Sequence, residues 1–148
     1  GEGPIDVEMR RKLLRPFAFI NLKKVPGGPV ARINRIHDYV RANRDFIRQQ
    51  LAICDPDLVV CCGDDVWDVL TGHVLPEEAK SRVGEVRINS EASAGTLPSG
   101  AALLSYWHPQ PRRSLGTAFL REKFRESIET LVREGRVKLR TGFRKREA

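Results

Sequence analysis

The run at residues 57–62, "DLVVCC", constrains the fold more than any other stretch of the sequence. After its first aspartate, no polar residue interrupts it. A strand that is solvated on one face alternates apolar and polar residues, whereas a continuous apolar run is typical of a strand buried on both faces. Such strands occur where helices cover a mostly parallel sheet. The run therefore predicts an α/β fold.

The rest of the chain supplies the other elements of such a fold. Apolar runs predict further strands at residues 16–22 ("PFAFINL") and 101–107 ("AALLSYW"), with a weaker alternating strand in "GEVRIN". The segment "SEASAGTLPSG" is interpreted as a loop or a hairpin. Three helices are also predicted. The first is indicated by an apolar stripe of Ile33, Ile36, Val40, Ile47, Leu51 and Cys54, and the second is the segment "DVWDVL", with Asp64 as its N-cap. The third begins after Ser114 as its N-cap and has an apolar stripe of Leu120, Phe124, Ile128 and Leu131.

Strands and helices alternate along 148 residues, which is the length of one ordinary domain. We expect a single domain over residues 1–148, with a three-layer α/β/α arrangement around a central, mostly parallel four-stranded sheet. Residues 1–15 are interpreted as an N-terminal helical lead-in. Residues 136–148 are interpreted as a basic C-terminal tail.

The formal net charge is +7, and most of it lies near the C-terminus. Residues 133–148 hold seven basic and two acidic residues, so this segment carries most of the charge. Clustered basic residues attract phosphate backbones, although a solvated tail is an equal alternative. No apolar run reaches the roughly 20 residues of a membrane span, and the start has no signal-peptide core. We expect a cytoplasmic protein with no membrane partner.

Three cysteines do not form a disulfide framework or a metal site. Cys61 and Cys62 are adjacent in a predicted strand, so their side chains face opposite ways, and Cys54 lies at a helix end. No C-x-x-C spacing exists, and we interpret the cysteines as buried free thiols without bound metal. The sequence also has no G-x-G-x-x-G or P-loop motif. We therefore expect no cofactor.

Polar residues follow three of the predicted strands at the carboxyl end. In open parallel sheets, ligands bind at that edge. An amide, two carboxylates and an imidazole are therefore expected to meet there. The residues concerned are Asn21, Lys23 and Lys24 after the first strand, Asp64 and Asp65 after the second, and Trp107 and His108 after the last.

Each of these residues has a structural alternative beside a functional one. Asn21 can bond the edge of a nucleobase, or it can tie a loop backbone. Asp64 and Asp65 can act as acid or base, or they can cap helices. His108 can donate a hydrogen bond to developing negative charge, or it can be structural. Trp107 can stack on a base or pack in the core.

Three segments, "FAFINLKKVPGG", "IRQQLAICDPDLVVCCGDDVWDVL" and "LLSYWHPQPRRS", together resemble the uracil-DNA glycosylase superfamily. That group has a strand ending in Asn before a Pro/Gly loop, then a helix leading into a "P-D-hydrophobic-hydrophobic-x-x-G" strand. A late strand then ends in His-Pro-Ser or a similar triplet. The likeness covers roughly residues 16–134, in the same order along the chain.

The resemblance implies base-excision DNA repair by hydrolysis of the N-glycosidic bond of a flipped, damaged base. It assigns Asn21 to the base edge and His108 to a base carbonyl that gains charge as the bond breaks. It also implies that the loop from Pro109 to Ser114 enters the minor groove or presses on the DNA backbone where the base has left. We expect contacts with DNA, single-stranded or damaged, from Lys23, Lys24, Gln110, Arg112, Arg113 and Ser114.

The sequence departs from the family pattern at three places. The Gly/Pro-rich motif that handles the attacking water is not evident before "PFAFINL", so either the chain is a piece of a longer protein or the motif is absent. Gln110 stands where the family has a phosphate-binding serine. The loop after Asn21 has no cysteine, so an iron–sulfur cluster is not expected.

These departures keep two other functions open. One is a catalytically inactive relative that acts as a nucleic-acid-binding module. The other is a small-molecule enzyme that uses Asp64 or Asp65 with His108 at the same sheet edge.

Overall fold

The structure is a computed structural model that describes residues 17–22, 33–107 and 116–137, without the side chains of Ile33 and Asp64. Its helices are α1 (Ile33–Ala42), α2 (Arg44–Cys54), α3 (Asp64–Val69), α4 (Glu77–Val83) and α5 (Thr117–Arg133), with a π-helical turn at Leu70–Val74. Its strands are β1 (Leu58–Cys62), β2 (Val86–Asn89), β3 (Ala92–Thr96) and β4 (Ala102–Tyr106). Within the described part of the chain, no helix is long and apolar enough to cross a membrane.

The four strands form one open, mixed sheet in the order β1-β4-β3-β2. The α/β class is therefore confirmed. The expectation of a mostly parallel sheet is wrong, because β1 and β4 alone are parallel, while β2–β3 and β3–β4 are antiparallel hairpins. Short connections cause this difference, since two strands joined by a few residues can pair only in the antiparallel sense.

The prediction of a strand in "PFAFINL" is wrong for residues 17–22, the part of this segment that the structure describes. Residues 17–22 have no regular secondary structure, and the side chains of Phe17 and Phe19 are 64% and 89% exposed. The fourth strand is β3 instead, within the segment interpreted as loop or hairpin. Its sequence "ASAGT" lacks large apolar residues, so nothing in its composition marks a strand.

The long helix predicted before Pro56 is two helices that break at Asn43. The Asn43 side chain donates a hydrogen bond to the carbonyl oxygen of Tyr39 at 2.8 Å. Asparagine favours such local bonds over helix continuation, which is why the helix stops and restarts there. The predicted end is confirmed, because α2 ends at Cys54 and Asp55 takes a left-handed conformation with a φ of 41°.

Two clusters of buried side chains lie against alternate residues of the strands. Cys61 and Leu103 belong to a cluster with α1, α2, α3 and the π-helical turn. Ala94 and Leu104 belong to a second cluster with α5. Successive strand residues face opposite sides, so β4 has buried contacts on both of its faces.

A histidine pair joins α1 to the π-helical turn. His37 Nδ1 and His73 Nε2 are 2.9 Å apart, and the two rings meet edge to face with centroids 5.1 Å apart. Burial lowers the pKa of His73, and the positive charges of Arg41, His37 and Lys80 lower it further. The folded protein therefore holds His73 in its neutral form more firmly than the unfolded chain does.

We expect His73 to make the protein less stable in mild acid. Because the folded pKa lies below the ordinary value of 6.5, the folded state binds fewer protons, so stability is complete above that value and falls as the pH drops through the folded pKa. Urea unfolding of wild type and of His73→Gln at several pH values between neutrality and mild acid will measure how the free energy of unfolding changes with pH. Equal pH slopes for the two proteins would contradict this expectation.

Candidate functional site

The parallel pairing of β1 and β4 places the carboxyl ends of both strands side by side. Cys62 is in register with Tyr106, and the backbone N–H of Gly63 donates to the Tyr106 carbonyl oxygen at 2.8 Å. The turn after β1 and the residue after β4 therefore leave the sheet together. The structure thus brings the backbone of Trp107 near Gly63, at the start of α3.

Gly63 turns the chain from β1 into α3. Its φ of 114° and ψ of 150° lie in a region that essentially only glycine occupies. Gly63 also occupies the N-cap position, and Asp64 is the first helical residue. The prediction that Asp64 is the N-cap is therefore wrong by one residue, because the strained turn needs glycine at that position. The Asp65 side chain is exposed.

The structure does not gather all the predicted site residues in one place. Asn21 is exposed and follows no strand, although the next residue, Leu22, packs against the core. Neither Asn21 nor Asp65 lines either of the two principal clefts of the described chain. Seven predicted contact residues lie outside the described residues: Lys23, Lys24, His108, Gln110, Arg112, Arg113 and Ser114.

A cleft of about 240 Å³ lies at the carboxyl end of β4, and we call it the polar cleft. This volume is below the roughly 300–1,000 Å³ of pockets that hold drug-sized ligands. The polar cleft therefore suits a single ring system better than a large cofactor. Its lining includes Arg87, Glu91, Ser93, Ser105, Tyr106 and Trp107.

Trp107 is half-buried, and its indole N–H donates a hydrogen bond to the Glu91 carboxylate. The preceding residue, Tyr106, is fixed towards the other face of the sheet. Its hydroxyl donates to the carbonyl oxygen of Leu120, and its ring meets Phe124 edge to face at 5.1 Å. The end of β4 is therefore held on both faces immediately before His108.

The Tyr106 phenol is a hydrogen-bond donor rather than an acid. Burial raises the pKa of Tyr106, and the negative charge of Glu91 raises it further. The phenol therefore keeps its proton at neutral pH, and its bond to the Leu120 carbonyl persists. Tyr106 accordingly supports the polar cleft rather than supplying a proton to a ligand.

Two serine hydroxyls stand on the floor of the polar cleft. Ser93 and Ser105 are directly opposite each other in the β3–β4 register, so their side chains lie on the same face of the sheet. Neither hydroxyl is hydrogen-bonded to another residue that the structure describes. Each hydroxyl can donate one hydrogen bond and accept others, so both can bind the polar edge of a ligand.

The charges of the polar cleft do not form a phosphate site. Glu85 and Glu91 bring two carboxylates, and Arg87 brings one guanidinium. That guanidinium already donates to the carbonyl oxygens of Asn89 and Ser90. The described lining is therefore suited to a neutral, hydrogen-bonding ring, and contact with a phosphate requires basic groups elsewhere on the chain.

The cysteines near this edge are poor nucleophiles. Cys61 is buried, and burial raises its pKa to about 12. Burial also raises the pKa of Cys62, which is half-buried at the end of β1. A thiol must lose its proton to react, so both remain inert near neutral pH. The interpretation as buried thiols is confirmed for Cys61, whereas Cys54 and Cys62 are half-buried.

Sequence reasoning missed Glu91, Ser93 and Ser105 as members of this site. Ser105 interrupts an otherwise apolar strand, and that interruption is the one local feature that could have marked it. Glu91 and Ser93 lie in the segment interpreted as loop or hairpin. Their position in the site follows from the β3–β4 register, which no local pattern specifies.

Comparisons of this chain with models of protein families, with curated proteins and with solved structures gave no match.

Proposed function

We propose that this chain is a uracil-DNA glycosylase-like protein that binds one unpaired base of damaged DNA in the polar cleft and hydrolyses its N-glycosidic bond. The proposal includes a three-layer α/β/α arrangement, with α1–α4 on one face of the sheet and α5 on the other. The two buried clusters support this arrangement.

The observation that carries the proposal is the position of Trp107, at the carboxyl end of β4, in one cleft with two hydroxyls that have no hydrogen-bond partner among the described residues. An aromatic ring stacks on any base, and stacking contributes about 1–3 kcal/mol per base. Ser93 and Ser105 can bond the polar edge of the same base. A small cleft with one indole and two hydroxyls thus matches a single flipped base.

The chemistry of base release explains why a donor is needed at this position. Cleavage leaves an oxocarbenium-like sugar and an anionic base, so a hydrogen-bond donor aimed at the base lowers the barrier. His108 directly follows Trp107 in the sequence and is the residue proposed for this role. The phosphates would be held by the basic residues predicted before α1 and before α5.

A non-catalytic DNA-binding module is the second candidate, and one observation favours it. Asn21 and Asp65, which were predicted to read the base and to act as acid or base, do not line the polar cleft. The carboxylate of Glu91 does line it, but it already accepts a hydrogen bond from Trp107. A site of this kind can bind a base without activating water.

Single-turnover assays will separate the two candidates. The protein, in molar excess over oligonucleotides that contain uracil, hypoxanthine or xanthine, is expected to release the free base faster than buffer does. Binding without release, by folded protein, would leave the non-catalytic module. Absence of both binding and release would contradict the proposed function.

Trp107→Ala is expected to weaken binding of the same oligonucleotides by about tenfold, because one stacking contact is lost. Phe46→Ala is the matched control, since Phe46 is a partly exposed aromatic residue of α2 outside the polar cleft. Fluorescence anisotropy of labelled single strands will measure both affinities. Equal affinities of the two variants would argue against stacking on Trp107.

A deletion that tests the basic tail has to begin at Lys138. Arg136 donates to the Gly95 carbonyl oxygen at 2.7 Å, and Val137 is buried in the cluster with α5. Removing these two residues would disturb the folded part of the chain. Deleting residues 138–148 is expected to weaken DNA binding and to reduce its salt dependence, and an unchanged salt slope would exclude a role for the tail.

A further inference from the structure

Glu91 and Trp107 meet across the end of the β3–β4 hairpin. Ser93 is in register with Ser105, so the next pair of residues on the same face is Glu91 and Trp107. The Trp107 indole N–H donates to the Glu91 carboxylate there. A hydrogen bond to a charged acceptor is about twice as strong as a neutral one, so this contact restricts rotation of the indole.

Glu91 is itself fixed through Asn89. The side-chain oxygen of Asn89 accepts the backbone N–H of Glu91 at 2.8 Å. The Asn89 amide nitrogen donates to the Lys123 carbonyl oxygen at 3.1 Å and to the Ser127 hydroxyl at 2.9 Å. Ser127 is fully buried in α5. The turn that carries Glu91 is therefore tied to a point in the protein core.

We propose that Glu91 is a positioning residue, which holds the Trp107 indole in the orientation needed to stack on a ligand in the polar cleft. The role in ligand binding rests on the proposed function, whereas the effect on the indole does not. The continuous hydrogen bonds from Ser127 through Asn89 and Glu91 give the ring a fixed orientation before a ligand arrives. Preorganised contacts of this kind favour binding because less freedom is lost.

A purely stabilising role for the bond predicts a different result. The bond lies at the rim of an open cleft, where water can replace a lost partner, so its loss changes folding stability little. The same loss removes one restraint on the orientation of the indole, which weakens its stacking geometry. A purely stabilising role therefore predicts a lower melting temperature for a Glu91 variant, whereas a positioning role predicts a change in the environment of the Trp107 indole.

The indole resonances in a proton–nitrogen NMR spectrum test the effect on the ring directly. The chain has two tryptophans, and Trp67 is a buried core residue that serves as an internal reference. Glu91→Ala is expected to shift the Trp107 indole signal and to leave the Trp67 signal unchanged. Glu91→Gln keeps an oxygen acceptor, so it is expected to fall between wild type and Glu91→Ala.

Oligonucleotide affinity tests the consequence for binding. Glu91→Ala is expected to weaken the binding of a uracil-containing single strand by about five- to tenfold, no more than Trp107→Ala does, because it acts through the stacking of that ring. Trp107→Phe keeps a ring without the N–H, and adding Glu91→Ala to it should cause no further loss, because the two side chains act as one unit. Glu78→Gln is the control, since Glu78 is exposed in α4 outside the polar cleft.

Each outcome decides one part of the proposal. An unchanged Trp107 indole signal in folded Glu91→Ala would overturn it. A shifted signal with unchanged oligonucleotide affinity would overturn the role in binding. A wild-type protein that binds no oligonucleotide would contradict the proposed function, while the indole signals would still decide whether Glu91 positions the ring.

Discussion

Gly95→Ala is expected to lower the free energy of unfolding by about 3 kcal/mol, because a methyl group has no space at this position. A Cβ on Gly95 would overlap the carbonyl oxygen of Gly84, and it would lie 2.8 Å from Val83 and 2.9 Å from the Trp67 ring. Gly95 is in the middle of β3, so backbone and core must both move to admit it. Urea unfolding followed by circular dichroism will measure the change.

Gly72→Ala is the matched control for this substitution. A Cβ on Gly72 would have no atom within 4 Å, and Gly72 lies in the π-helical turn. Alanine there is expected to leave stability unchanged or to raise it by up to about 1 kcal/mol, since glycine disfavours helical conformations. Equal stabilities of the Gly95 and Gly72 variants would mean that α4 does not pack closely on β3.

The parts of the fold that could be predicted are those in which local pattern and burial agree. The apolar runs at residues 57–62 and 101–107 predicted both strands of the parallel pair. β4 has buried side chains on both faces, as such a run indicates, whereas β1 is an edge strand in which only Cys61 is buried. Residues 17–22 have the same apolar character but form no strand, and the side chains of Phe17 and Phe19 are exposed. An apolar run indicates burial only when a partner strand is available, and sequence alone does not supply the partner.

In the candidate site, a residue that directly follows a predicted strand could be predicted, whereas the residues that strand pairing brings next to it could not. Trp107 follows a recognisable strand, so its place at the sheet edge could be expected from the strand alone. Glu91 is 16 residues away in sequence, and it reaches Trp107 only because β3 and β4 pair in one particular register. A shift of one residue would turn Ser93 to the opposite face and separate this pair.

Leu103→Ala and Leu104→Ala are each expected to lower the free energy of unfolding by about 3 kcal/mol, within the usual range for buried leucines. Both side chains are fully buried, yet they face opposite sides of β4. If helices cover one face only, one of the two substitutions would be tolerated. Two large and similar losses are therefore the signature of a three-layer arrangement.

The control for these two variants is Val86→Ala, because Val86 is a strand residue with a side chain that is 59% exposed. Substitutions at such positions usually change stability by less than about 0.5 kcal/mol. Urea midpoints of the three variants at one pH will give the comparison. A loss at Leu103 without a loss at Leu104 would show that α5 does not pack on the sheet. Tyr106 would then lose its contacts with Leu120 and Phe124, and the polar cleft would lose its support from that face.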